Sequence, residues 1–204
     1  MSARAYNTGQ RVYNIAVVVA TLCLLQLFGD CLCIEKFTNV QCSSFDEKFA
    51  IFEMCRLRAV KRDVNELSVA LKFVQSNETL RNATIRLQLM KKASGYKPFL
   101  YDVTVNLCEY LEKRNHPFLN IIFNAFGNHS TSLQRCPLRN ELAIEHLQFP
   151  TDMLQGLPLP LGEYAIFASL TAESKKRIEV KLYFMLNDTY KYKYEYLQRD
   201  ASTK

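Results

Sequence analysis

The chain has 204 residues, enough for one domain with a sizeable core, and 49% of them are apolar with no low-complexity tract, which excludes a disordered protein. Its net charge of +6 is dispersed through Arg56, Arg58, Lys61 and Arg62, then Lys91 and Lys92, then Lys175, Lys176 and Arg177. A nucleic-acid binder concentrates its charge more than this, so these residues read as solvated strand edges that discourage sheet-to-sheet aggregation, and no nucleic-acid partner is expected.

Arg4 and Arg11 precede an apolar run from Ile15 to Leu25 that continues through Gln26 to Leu27 and Phe28. The small residues Cys31 and Cys33 follow, where signal peptidase needs compact side chains. Residues 1–33 are therefore expected to be a secretory signal peptide, cut after Cys33. The alternative is an uncleaved anchor, but about 14 apolar residues span only about 21 Å of helix, well short of a bilayer core, so no stable membrane span is expected. Losing this segment also resolves a parity problem: of seven cysteines, Cys42, Cys55, Cys108 and Cys136 remain, an even number suited to an oxidising compartment. Sequons at Asn77, Asn82, Asn128 and Asn187, none with proline in the middle, point the same way. A secreted, extracellular glycoprotein is expected.

Beyond the leader, Lys36 to Cys42 is a short strand candidate and Phe49 to Val60 a strongly apolar one. The dominant period then becomes two. Leu67, Val69, Leu71 and Phe73 alternate with Ser68, Ala70 and Lys72, as a strand with one buried face requires. Ile85, Leu87 and Leu89 repeat the pattern against Thr84, Arg86 and Gln88; the connection holding Asn77 and Glu78 reads as an exposed turn, and Asn82 keeps the outward phase. After Ser94 and Gly95, Phe99, Tyr101, Val103, Val105 and Leu107 share one face of a third strand, with Asp102, Thr104 and Asn106 on the other.

Between Leu107 and Leu142 the period changes. Cys108 to Lys113 predicts one or two helical turns, and His116-Pro117 opens a second helix whose Phe118, Ile121, Ile122, Ala125 and Phe126 share a face before Gly127. Near the C-terminus, Tyr164, Ile166, Ala168 and Leu170 lead into a polar turn at Glu173 to Lys176, and Ile178, Val180, Leu182, Phe184 and Leu186 return as a hairpin, with Asn187 in outward phase. The Tyr190 to Tyr196 run either prolongs that strand or forms a tail with aromatic stickers. Antiparallel strands with helices confined to one insertion predict a mainly β, two-sheet antiparallel sandwich. The expected organisation is a leader at 1–33, one domain at 34–188 with its helical insertion at about 108–127, and a tail at 189–204.

Four cysteines permit three pairings, and sequence alone does not choose among them. We take Cys42 with Cys55 and Cys108 with Cys136 as the working pairing because each closes a local loop, the first between neighbouring strands and the second at the helical insertion; each closure is worth roughly 3–4 kcal/mol. A zinc site would need closely spaced ligand pairs, and none survives in the mature chain. His116, His129 and His146 fit no metal-binding helix pattern, and no nucleophile serine elbow, phosphate loop or metalloprotease motif is present. Glu109 and Glu112 share a helical face, but beside Lys113 and Arg114 they read as solvated surface. No catalytic residue, cofactor or metal is expected, and the chain is read as a non-enzyme.

Binding is the more productive reading. The inward phase and bulk of Tyr101, Val103, Phe118, Ile122, Phe184 and Leu186 make them candidates to line an apolar ligand cavity, against the plainer alternative that they fill a solid core. The nearly continuous apolar segment Phe118 to Phe126 is either buried on most sides or partly exposed as a docking surface.

The stretch Gly95-Tyr96-Lys97-Pro98-Phe99-Leu100-Tyr101-Asp102-Val103-Thr104-Val105-Asn106-Leu107-Cys108 resembles the signature of a large insect family of secreted proteins known as domain of unknown function 1091. Phe37 to Cys42, Cys55 to Val60, Cys136-Pro137 and Pro158 to Tyr164 match that family's pattern in order. The family has no established biochemical activity. It is similar to insect chemosensory proteins of the lipid-recognition (ML-like) superfamily, and the resemblance implies an immunoglobulin-like sandwich holding an acyl chain or other apolar molecule between its sheets. The expected function is a carrier or sensor subunit for a lipid or other small apolar ligand. The alternative is a glycosylated interaction domain with a solid core, which engages an extracellular receptor or matrix protein through an exposed face or the Tyr190 to Tyr196 tail.

Overall fold

Alternating apolar side chains dictate two sheets that turn their apolar faces toward one interior. The computed structural model describes residues 33–62, 64–74, 82–127, 129–130, 136, 141–149, 157 and 159–188. In chain order these form β1 (Cys33–Ser44), β2 (Ala50–Lys61), β3 (Val64–Phe73), β4 (Thr84–Ala93), β5 (Gly95–Asn106), α1 (Leu107–Lys113), α2 (Pro117–Gly127), β6 (Glu141–Gln148), β7 (Gly162–Ala172) and β8 (Lys175–Asp188). One sheet has the order β1-β8-β7-β4-β5 and the other β2-β3-β6. The chain is thus mainly β, a two-sheet antiparallel sandwich with a short helical insertion, as expected. Residues Ile34–Asn187 form one compact unit.

Three hairpins organise the sheets, β2 with β3, β4 with β5 and β7 with β8. The last turns through Glu173 and Ser174, whose φ angles of 52° and 61° are the pair a two-residue turn needs to match strand twist. At the β4–β5 turn Gly95 takes φ +96°, with open space where a Cβ would sit, so backbone conformation rather than crowding calls for glycine there. The expected exposed turn at Asn77 and Glu78 lies outside the described residues. The strands it joins, β3 and β4, belong to different sheets.

Two departures from the sequence reading have clear causes. Strand β6 was not anticipated, because its alternation is broken: Val69 faces Ile144 but Leu67 faces Leu147, so β6 carries one extra residue, and His146 takes φ 52° there. On β3, Ser68 and Ala70 are buried although they hold the outward phase. The strand is central, with β2 and β6 on either side, and small side chains there are covered by their neighbours; the Ser68 hydroxyl also accepts the His146 N–H at 3.3 Å.

A third departure concerns charge. Arg177 does not lie at a solvated edge as Lys175 and Lys176 do; it is 7% exposed. Its guanidinium pairs with Asp46 and with Glu173 at 2.5 Å, donates to the Ala172 carbonyl at 3.2 Å and lies 5.3 Å from the Phe49 ring centroid. The charge is tolerated inside because every face of it has a partner.

The disulfides are Cys42–Cys55 and Cys108–Cys136. The first crosses between sheets, from β1 at the edge of one to β2 at the edge of the other, with the Cα atoms 6.2 Å apart. The second anchors α1. Asn82 is exposed and Asn187 half-buried at the end of β8. Asn77, Asn128, the leader through residue 32 and the Tyr190 to Tyr196 run lie outside the described residues.

Candidate functional site

The inner faces of the sheets do not meet everywhere. At one end they are filled by rings: Phe37 on Phe149 at 5.0 Å between centroids, Phe149 on Phe184 and Tyr164 on Phe184 each at 5.6 Å, and Phe99 on Tyr164 at 5.9 Å. Elsewhere a cavity of about 190 Å³ remains. One sheet contributes Ile85 and Leu87 from β4, Ile166, Ala168 and Leu170 from β7, and Ile178, Val180 and Leu182 from β8. The other contributes Phe52 from β2, alternate residues of β3 from Leu67 to Phe73, and Leu142 and Ile144 from β6. Leu107 of α1 and Ile122, Phe123 and Phe126 of α2 complete the wall.

An empty apolar void is costly, because its lining loses dispersion contacts with nothing in return. At about 24 cal/mol per Å³, the cavity of about 190 Å³ would cost roughly 4–5 kcal/mol. That is comparable with the whole stability of a small domain, about 5–15 kcal/mol. Removal of water from an apolar molecule that filled the space would offset it.

The helices hold the side of the cavity. Asn106 caps α1 by accepting the Glu109 N–H at 3.0 Å, and Arg114, with φ 48°, ends it by donating its N–H to the Tyr110 carbonyl at 2.8 Å. Proline at the first position of α2 needs no N–H partner. Between the helices, Asn120 accepts the Tyr110 hydroxyl at 2.9 Å and donates to the Arg114 carbonyl at 2.9 Å, while the Arg114 guanidinium lies 5.5 Å from both the Tyr110 and Phe123 rings. Phe118, near the start of α2, stacks on Tyr101 of β5 at 4.3 Å. Ser130, just past its end, makes an antiparallel bridge with Ile144 of β6. The helix therefore reaches from an edge strand of one sheet to an edge strand of the other.

Of the six residues chosen from sequence as lining, Ile122 lies on the cavity wall. Tyr101 and Phe118 are spent on each other, Val103 is half-buried on the same strand as Tyr101, and Phe184 and Leu186 belong to the filled end of the core. Phase along a strand signals most of the residues that face inward, with Ser68, Ala70, Arg177 and the shifted end of β6 as its exceptions. How far along the strand the sheets separate has no local signature, and so Ala168, Val180 and Leu182 were passed over.

The titratable groups lie away from the cavity. Glu109 is exposed and pairs with Lys113 at 2.8 Å, whose ammonium holds its carboxyl below the usual range. His146 sits on the outer side of β6, its Nδ1 3.1 Å from a Glu66 oxygen. Burial pushes the Tyr110 and Tyr164 hydroxyls up. Among the described residues no three His, Cys, Asp or Glu side chains gather as a metal site would require, and no helix is long and apolar enough to cross a membrane.

Among solved structures, the chain is similar to a Niemann-Pick type C2 protein from the Japanese carpenter ant, with 15% identity over 73% of this chain and 89% of that one and a TM-score of 0.27, a likeness too slight to carry a functional argument. No curated protein matches. Residues 85–166, which span β4, β5, both helices, β6 and the first half of β7, match the family described as "Protein of unknown function (DUF1091)", the family whose signature Gly95 to Cys108 resembles.

Proposed function

We propose that this is a secreted, non-enzymatic binding protein, a carrier or sensor subunit for a lipid or other small apolar molecule held between its sheets. The cavity carries this reading: about 190 Å³ of apolar space between the sheets of a fold that has enough bulky residues to fill it. Among the described residues the wall is apolar but for Ser169, whose side chain strand phase turns to the opposite face of the sheet, which supports binding without a covalent step. Two disulfides support an oxidising compartment. In the same reading residues 1–33 are removed as a leader, residues 34–188 form the binding domain and Asn77, Asn82, Asn128 and Asn187 carry glycans.

Native mass spectrometry of the full chain secreted from insect cells tests it. The expected result is a protein beginning at Ile34, carrying N-glycans, that retains a co-purified apolar molecule or takes up fatty acids or hydrocarbons. Secreted protein with neither a retained molecule nor uptake would reject the carrier reading.

A further inference from the structure

We propose that the molecule bound between the sheets is small, uncharged and amphiphilic, with an apolar body in the cavity and one hydroxyl or carbonyl oxygen hydrogen-bonded to Ser130 Oγ. This deepens the reading of the cavity as a binding site and rests on it.

Volume sets the size. An apolar cavity of about 150 Å³ accommodates benzene, so about 190 Å³ suits a body on the order of ten non-hydrogen atoms. The wall sets the charge. Among the described residues Ser169 is its one polar member, and strand phase turns that side chain with Arg86, its cross-strand partner, to the opposite face of the sheet. A charge buried against such a wall would have no partner, and the cost of that is prohibitive.

Ser130 sets the head group. It is 7% exposed, and its Oγ is buried with no hydrogen-bond partner. A buried hydroxyl left unpaired destabilises the fold, so its retention calls for a partner. Its backbone bridges Ile144, a wall residue, and the adjoining His129 N–H donates to the carbonyl of Phe126, another wall residue, at 3.0 Å. The orphan hydroxyl therefore lies beside the wall and outside the lining itself, at the seam between α2 and β6, and one end of the bound molecule would have to enter that seam to meet it.

A matched series tests the proposal: octane, 1-octanol and octanoate, with affinities measured by competition against a fluorescent apolar probe on the secreted full chain at pH 7. We expect 1-octanol to bind about three- to tenfold more tightly than octane, and octanoate to bind at least about tenfold more weakly than 1-octanol. Ser130→Ala should erase the preference for 1-octanol over octane. That substitution also removes the sequon at Asn128, so Asn128→Gln, which lacks the glycan but keeps the hydroxyl, should retain the preference. Equal binding of octane and 1-octanol by the unaltered protein, or octanoate bound as tightly as 1-octanol, would overturn the head-group inference and leave the cavity reading intact. 1-Hexadecanol bound as tightly as 1-octanol would overturn the size limit. Binding of no member of the series would overturn both inference and reading.

Discussion

Arg177 shows how far a side chain's role can depart from its neighbourhood in sequence. In the run Lys175-Lys176-Arg177 nothing marks the third residue, yet Leu170 pairs with Ile178 and Thr171 with Lys176, so Arg177 is an extra residue on β8 that is buried beside Ile178 against the strand phase, and the β1–β2 connection brings Asp46 to meet it. Phe45 adds a backbone N–H to the Arg177 carbonyl at 2.8 Å, so the pair ties that connection to the β7–β8 turn. Replacing Arg177 with methionine leaves Asp46 without its partner. The expected loss is about 2–4 kcal/mol in urea unfolding, whereas Lys175→Met should change stability by less than about 0.5 kcal/mol. The exposed carboxylates give a second prediction. A bidentate hydrogen bond from Arg86 holds Asp102 below its ordinary range, and hydrogen bonds from His146 and Gln148 do the same for Glu66. A carboxylate depressed in the folded state contributes stability that is present above its unfolded pKa and lost as pH falls through its folded one. Thermal stability should therefore decline as pH falls below the ordinary carboxylate range, and Asp102→Asn should flatten that decline by lowering the neutral plateau slightly toward the acid value.

At the scale of elements, legibility followed periodicity. The β7–β8 hairpin and both helices were readable because an uninterrupted period of two, or an apolar helical face behind His116-Pro117, runs into a clear turn. Strand β6 was not, since an extra residue at His146 shifts its inward set from a spacing of two to three. Strands β3 and β4 were readable singly, but their assignment to different sheets was not, because a strand's partner is chosen by the whole fold. The disulfide pairing was one of three that the sequence left open, taken because each bridge closes a local loop, and the first bridge crosses the sandwich instead of joining paired strands. Helix α2 is the element on which the site leans most. Phe118→Ala removes a ring that is 3% exposed and stacked on Tyr101. It should cost about 3–5 kcal/mol and speed release of a bound molecule, both measurable on one sample by thermal unfolding and stopped-flow displacement.

The whole molecule is a compromise between stability and a void. If the cavity is the binding site, filling it from within must strengthen the empty protein and weaken its binding. Ala168→Leu, which extends a wall residue of β7 into the space, should raise the stability of the unliganded chain by about 1–2 kcal/mol and lower affinity for an apolar probe at least about tenfold. A wall of packed side chains with no void behind it would respond in the opposite sense, losing stability to overpacking. Ligand should in turn raise the melting temperature of the unaltered protein in proportion to the logarithm of its concentration.

The bridge between Cys42 and Cys55 has a counterpart on the far side of the molecule. It binds the two layers along one margin as a spine binds the boards of a book, while on the opposite margin Cys108–Cys136 anchors the helical insertion beside a ring stacked on a ring at one end of α2 and a backbone bridge past the other. Each cystine thus secures one side of the interior, and reducing both should loosen the two margins together rather than open a single door.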